Sequence, residues 1–487
     1  MTTISTLSPL PASARYAPAG AQRDTFASAA AAAGEGGGSG RVSLSADGLA
    51  AARAAADAAL RVPASARFKE AGAFLRSAFE VGAPAALDRS ALPTDVDQRF
   101  TLSVVTASGK KVELTLASRD DEFMVRVGVD AGVELNDAER DAVAGLAQGF
   151  QDAVDGMASQ PPQLRLAGLS GFDSSALQSV DLRAAVKLPT SPPATQTLDF
   201  HVDGQRRSVA VDGPSGKLNV SVSTGTLEAL GTRQQQDRAI AGYLKQFDDA
   251  ATRGHGDRQL MTMFKDAFSD LSRTSLTDDA AAVGTTKRGG SWALSRADHA
   301  VLTGLPDFSA SVTQASQLNN PARRDEVTAF RYEASQKTQV GGASWAERSV
   351  SQTRESRLSA QFHTPLRAGA ELAFDFSSGS QNYRHHQIDD TSRSDVTLQY
   401  KEGKLLTAAF EHMADQSERV REYTQGRMTS DTTIPSQQRI LRDLVAALDP
   451  YRAGRTRHGQ AEHPEARQAR HEASLNALNA DILSPGR

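Results

Sequence analysis

The sequence predicts an α+β fold: an antiparallel sheet covered by an amphipathic helix, followed by further helices and a second, mainly antiparallel β region. Two patterns support this class. Apolar residues alternate with polar ones on both sides of a segment with helical spacing, and the alternation returns after residue 323. Period-two alternation gives a strand one buried and one solvated face, which is typical of an antiparallel sheet covered on one side.

The first β segments begin at Phe100, where Phe100, Leu102 and Val104 are the expected inward positions. Further alternating segments follow at 112–116 and 123–129 and again between residues 198 and 223. Asp203-Gly204 is a turn signal between two of them. We therefore expect one sheet spanning most of residues 95–225.

A helix over roughly residues 136–158 is predicted to cover this sheet. Asn136 is a good N-cap, and Glu139 stands at the position that completes a capping box. Apolar residues then recur every three or four positions, which places them on one helix face. They are Val143, Leu146, Phe150, Val154 and Met157.

Composition divides the chain into six predicted segments. The low-complexity run AAAAAGEGGGSG ends the first of them. The segments are a disordered N-terminus and Gly/Ala linker at 1–40, an Ala-rich helical region at 41–94, an α+β core domain at 95–275, a linker at 276–322, an antiparallel β region with a short C-terminal helix at 323–449, and a polar tail at 450–487.

Local patterns add detail within these segments. Residues 164–181 are expected to form a loop, and His255, between Gly254 and Gly256, is expected to separate two helices. Residues 372–376 alternate like a strand, and residues 437–448 are expected to form the short helix.

Composition also excludes several classes of function. The chain has no cysteine, so disulfides, thiolate catalysis and Cys-ligated metal centres are excluded. The 54 basic and 58 acidic residues leave a net charge of −4, which gives no global field for nucleic acid. Acidic residues interrupt the basic stretch 323–357, so we expect no nucleic-acid partner. No apolar run reaches roughly 18 residues, so no transmembrane segment is predicted.

The N-terminal stretch has the composition of an uncleaved export signal. It contains no acidic residue before Asp24 and lacks the basic start and apolar core of a secretory signal peptide. The pattern fits export by a flagellar or injectisome-type route. An ordinary bacterial N-terminus shares the same composition, so the protein is expected to be either cytoplasmic or exported without a cleaved signal.

Three apparent motifs fail on inspection. In residues 168–172 the second glycine directly follows the serine, unlike a nucleophile elbow. Residues 213–217 are too short for a phosphate loop and are expected to form a hairpin turn. In residues 130–141, Leu135 stands where a calcium loop needs glycine, and no glutamate occupies the last position.

One cluster has the residue types of a metal site. His386 with Asp389 or Asp390 offers imidazole and carboxylate ligands suited to zinc or manganese, and His412 could complete the set. The alternative is a solvated hairpin tip, because adjacent side chains on a strand point to opposite faces. His201 lies opposite Phe200 on its strand and is expected to be exposed rather than catalytic.

The sequence thus predicts a non-enzymatic bacterial interaction protein, exported by a flagellar or injectisome-type route, that binds an unidentified protein partner and needs no cofactor. Two alternatives stay open. One is a cytoplasmic scaffold or binding protein. The other is a hydrolase-like enzyme whose catalytic residues converge only in three dimensions.

Overall fold

A computed structural model describes residues 96–119, 122–129, 135–188, 190–224, 229–273, 294–448 and 464–483. All of them lie in one compact unit. The predicted N-terminal segments at 1–40 and 41–94 lie outside these residues. Within the polar tail, 464–483 is described and is helical.

A single thirteen-stranded antiparallel sheet is the framework of the molecule, so the predicted α+β class with an antiparallel sheet is confirmed. Its order is β13-β12-β11-β10-β9-β8-β7-β6-β5-β4-β1-β2-β3. The strands are β1 Gln98–Thr106, β2 Lys111–Arg119, β3 Glu122–Val129, β4 Leu177–Leu188, β5 Ala194–Asp203, β6 Arg206–Gly213, β7 Gly216–Ser223, β8 Phe308–Gln314, β9 Ala329–Gly341, β10 Ser349–Pro365, β11 Tyr383–Lys401, β12 Lys404–Thr424 and β13 Arg427–Asp443.

The helices lie in the connections between these strands and after the last one. They are α1 Asp137–Gly145, α2 Ala147–Ala158, α3 Ala167–Ser170, α4 Arg233–Gly254, α5 Arg258–Ser272, α6 Arg296–Ala300, α7 Val445–Leu448 and α8 Pro464–Leu483. None of the helices described here is both long enough and apolar enough to cross a membrane.

The start of α1 and the break after α4 lie where the sequence predicts them, but the boundary between α1 and α2 does not follow from the sequence. Asn136 and Glu139 form the predicted capping box at the start of α1. The predicted single helix is interrupted at Leu146, where α1 ends and α2 begins. His255 adopts a left-handed conformation with φ of 55° after α4, so it separates α4 from α5 as predicted.

The main hydrophobic core combines one face of the sheet with α2, α4 and α5. Phe100 and Phe200 come from the strands, Phe150 from α2, and Phe247 and Phe264 from α4 and α5. Each of these five rings is at most 2% exposed. A smaller cluster combines β10, β11 and β12 with α6, α7 and α8.

The prediction of a linker at 276–322 is wrong for residues 308–314. These residues form β8, which pairs with β7 on one side and β9 on the other. The two predicted β regions therefore belong to one sheet. Small polar residues alternate with Phe308, Ala310 and Val312. This amphipathic pattern is weak and does not predict a strand from sequence, because the strand is stabilised by pairing with its neighbours.

Three further local predictions are wrong. Residues 177–181 belong to β4 rather than a loop, and residues 372–376 are irregular rather than a strand. The predicted helix at 437–448 is strand up to Asp443, and only Val445–Leu448 is helical. Pairing with β12 supplies hydrogen bonds along one side of the edge strand β13, and this pairing overrides its local helical spacing.

Candidate binding groove on the open sheet face

A groove with a volume of about 1080 Å³ crosses nine strands, from β4 to β12. Its side chains alternate with core residues along each strand and so lie on the face opposite the main core. One row follows directly paired residues from strand to strand. The row is Asp181, His201, Ser208, Ser221, Ser309, Ser335, Glu355, Arg393 and Met413.

The floor of the groove consists of small side chains. Four successive strands, β6 to β9, each contribute one serine to the row: Ser208, Ser221, Ser309 and Ser335. The adjacent row places Ala210, Asn219 and Ser311 beside them. These short side chains leave a depression between flanking strands that carry long charged residues.

The polar groups of the floor are available to a ligand. Within the described residues, the side chains of Ser208, Ser221, Ser309 and Ser335 form no hydrogen bond with another residue. Asn219 and Ser311 are likewise unpaired within that part of the chain. A hydroxyl can donate one hydrogen bond and accept others, so the floor presents a row of two-way hydrogen-bonding groups.

His201 occupies one end of the groove between two carboxylates. Its Nδ1 lies 2.8 Å from Asp181 Oδ1, and its Nε2 lies 3.1 Å from Asp203 Oδ2. Burial acts to lower the pKa of His201, but the two carboxylates outweigh it and raise that pKa. His201 is partly buried rather than exposed, and both ring nitrogens are occupied. No ring nitrogen remains to activate the neighbouring Ser208.

Ion pairs line the other end. Arg393 contacts Glu355 and donates from Nε to Asp395 Oδ2 at 2.6 Å. Arg357 Nη2 lies 3.3 Å from Asp389 Oδ1. The residues lining the whole groove include five acids, four arginines and His201. The groove is therefore nearly neutral despite its many charges.

The predicted metal ligands lie apart. His386 contacts Glu418 through Nδ1 at 2.9 Å and the Thr364 hydroxyl through Nε2 at 2.8 Å. Asp390 lies on the same face and accepts hydrogen bonds from Arg253.

Asp389 is on the opposite, open face beside Arg357, and His412 contacts the Ser394 hydroxyl at 2.9 Å. The described residues contain no group of three or more His, Asp or Glu side chains arranged to hold a metal ion. Metal binding by His386, Asp389 and Asp390 stays a prediction that the geometry does not support.

Sequence reasoning missed a buried polar cluster on the groove's face, nearer the ends of β10, β11 and β12. His363 and His385 occupy directly opposite positions on β10 and β11. Arg421 donates a hydrogen bond to His385 Nδ1 at 3.0 Å. Tyr383 donates to Glu326 Oε2 at 2.6 Å. Burial lowers the pKa of His385 to about 4, so this imidazole is neutral at pH 7.

Within the part of the chain that the structure describes, several atoms of this cluster have no hydrogen-bond partner: Glu326 Oε1, both nitrogens of His363, His385 Nε2 and Arg421 Nε. Ordered water commonly bridges such buried groups. Glu326 and His363 are far from His385 in the sequence, and no spacing pattern connects them.

A second cavity, of about 530 Å³, lies on the core face at the end of α4. The rings of His255, Phe362 and His386 form a stack there, with centroid separations of 3.8 and 4.8 Å. Arg253 in its wall is paired with Asp390 and Glu418. Its charged groups thus pair with one another, whereas the serine side chains of the groove floor have no hydrogen-bond partner among the described residues.

Comparison with known proteins finds no matching family model, no similar curated protein and no similar solved structure. Function is therefore inferred from the groove's own residues and geometry.

Proposed function

We propose that this protein is a non-enzymatic binding protein whose ligand lies in the groove on the open sheet face. The observation that carries the proposal is the row of four serines on four successive strands, whose hydroxyls form no hydrogen bond with another side chain or backbone group among the described residues. A ligand in this groove would contact many side chains at once without requiring the sheet to open.

A merely solvated sheet face would favour different residues. Threonine and other β-branched or aromatic residues suit strands better than serine, alanine or asparagine. Here three central strands, β6, β7 and β8, carry small residues at adjacent positions in both rows of the groove. Complementarity to a ligand surface accounts for small residues of low strand propensity at these positions.

The contacts of His201 favour binding over catalysis. A serine hydrolase needs a histidine nitrogen free to accept the serine proton. His201 lies next to Ser208 in the row, but Asp181 and Asp203 engage both of its nitrogens. The raised pKa of His201 further favours the protonated form, which cannot act as a base.

The test is a thermal-shift screen of the full chain against neutral oligosaccharides, extended peptides, nucleotides and fatty acids. A ligand at about one hundred times its dissociation constant stabilises the native state by about 2.7 kcal/mol. We expect at least one class to raise the melting temperature. The double substitution Ser221→Arg with Ser309→Arg should abolish that shift, because two long charged side chains would fill the floor.

The matched control is Ser430→Arg with Ser436→Arg on β13, where both serines are exposed and outside the groove. This variant should keep the full shift. Equal shifts in the groove variant and the wild type would contradict binding in the groove. No shift with any ligand class would remove the proposed function.

Export remains part of the proposal and is supported only by the acid-free stretch before Asp24. Residues 1–40 lie outside the described structure. A reporter fused to residues 1–40 should appear in the medium of secretion-competent bacterial cells. Retention inside those cells would instead favour the cytoplasmic binding protein.

A further inference from the structure

We propose that the groove binds a neutral, hydroxyl-rich chain, an oligosaccharide, which crosses the strands of the sheet. This inference rests on the proposed binding function and names the chemical class of its ligand. Three features of the groove support this inference: its hydrogen-bonding groups, its balance of charges and its orientation across the strands.

The first feature is that a sheet face offers side chains rather than backbone groups. The backbone amides and carbonyls of β6, β7 and β8 are used in pairing with their neighbours. An extended peptide gains much of its affinity from backbone hydrogen bonds at a sheet edge, and those are absent here. Sugar hydroxyls both donate and accept, as do the hydroxyls of Ser208, Ser221, Ser309 and Ser335.

The second feature is the balance of charge. Asp181 and Asp203 are paired with His201, and Glu355 is paired with Arg393. An ionic ligand would meet no net opposite charge and would have to compete with these existing ion pairs. A neutral ligand can use the carboxylates as acceptors and the arginines as donors.

The third feature is the direction of the serine row. The four serines lie on neighbouring strands, so their hydroxyls repeat at the strand spacing of about 4.8 Å. Eight steps from β4 to β12 make a path of roughly 38 Å. A repeating polymer can place one hydroxyl-bearing unit after another along this row.

Aromatic stacking contributes little to recognition in this groove. Phe200 is the one aromatic residue among the described residues that line it, and its ring is buried in the core. Hydrogen bonds must then carry the affinity, and the affinity should increase with ligand length.

The experiment is isothermal titration of the full chain with neutral glucan, mannan and chitin oligosaccharides of one to eight units. Affinity for one series should rise with length and fall when Ser208, Ser221, Ser309 and Ser335 are all changed to alanine. Each lost hydrogen bond weakens binding by about two- to twelvefold, so the four together should weaken it by about sixteenfold or more.

The matched control changes four serines outside the groove to alanine: Ser349, Ser351, Ser430 and Ser436. It should bind like the wild type. Serine-to-alanine substitution removes hydroxyls but leaves the groove open, whereas Ser221→Arg with Ser309→Arg blocks the groove. Comparing the two variants therefore distinguishes recognition by the hydroxyls from steric access of the ligand to the groove.

Two results would overturn the oligosaccharide assignment. In the first, no oligosaccharide binds, but a peptide or lipid binds to the wild type and does not bind to the arginine variant. The binding function would then stand with a different ligand. In the other, an oligosaccharide binds equally well to the four-alanine variant. Failure of every ligand class would count against the proposed function itself.

Discussion

At the scale of single residues, Glu139 shows how a capping residue becomes a buried charge. Its side chain is 3% exposed. It accepts from the Asn136 amide at 2.9 Å and from Lys110 Nζ at 3.0 Å, and it also contacts Ser108. The hydrogen bond from Ser108 is the largest influence, and together these donors outweigh burial and lower the pKa of Glu139 to about 2.

This lowered pKa predicts acid sensitivity. The unfolded-state pKa is near 4.5, so the stabilisation by Glu139 is complete above that pH and is lost as the pH falls towards 2. Glu139→Gln should lower the free energy of unfolding by roughly 2–3 kcal/mol at pH 7 and by much less at pH 3. Urea unfolding at both pH values measures this, and an equal loss at both would contradict the assignment.

Arg348 is the second residue whose environment makes a prediction. Its side chain is 2% exposed and pairs with the fully buried Asp298, with Nε 2.9 Å from Oδ2. Its guanidinium also lies 3.3 Å from the ring centroid of Tyr400. Removing one partner of a buried ion pair leaves the other charge uncompensated.

Arg348→Ala should therefore lower the free energy of unfolding by about 3–5 kcal/mol. Arg348→Lys should restore little of it, because lysine provides neither the forked contact nor the flat stacking surface. The control is Arg331→Ala, which breaks an exposed pair with Glu333 and should cost about 0.5 kcal/mol or less. Similar losses for Arg348→Ala and Arg331→Ala in chemical denaturation would contradict this account.

At the scale of elements, clear apolar alternation and a capping box predict strands and a helix start, whereas a strand with small polar residues is not predicted. The alternation at Phe100, Leu102 and Val104 and the capping box at Asn136 both appear in the structure. β8 was missed because Ser309 and Ser311 reduce its amphipathic contrast. The apolar alternation at 372–376 was misleading because Phe374 packs against His363 and Tyr383 from an irregular segment.

The groove could not be predicted because its residues are distant in the sequence. Ser208 and Ser221 belong to a recognisable hairpin, but Ser309 and Ser335 join them only through the pairing of β7 with β8 and β9. The residues of the predicted metal site do not share one face of their strand. His386 and Asp389 lie on opposite faces of β11, as the strand alternation of that segment requires.

We propose that α2 covers the sheet through Phe150, which is fully buried in the main core. Phe150→Asp should abolish cooperative folding, because it places an unpaired carboxylate among apolar side chains. The matched control is Gln148→Asp at an exposed position of the same helix, which should change stability little. A soluble Phe150→Asp protein with cooperative thermal unfolding would refute this packing.

At the scale of the whole molecule, the continuous sheet predicts one cooperative unit. β8 pairs with β7 on one side and β9 on the other, so no break separates the regions that the sequence divides at the predicted linker. Calorimetry should show a single transition, with a van't Hoff enthalpy close to the calorimetric enthalpy. Two resolved transitions would indicate that the sheet separates into two folding units.

The open face of this sheet is the molecule's proposed contact surface, and side-chain footprinting tests it most directly. The full chain is labelled with a carbene reagent, with and without the oligosaccharide that binds most tightly. Labelling should fall in residues 206–223 and 308–335, which include the serine floor, and stay unchanged in β13. Unchanged labelling of the floor at saturating ligand, or protection confined to another surface, would contradict the account.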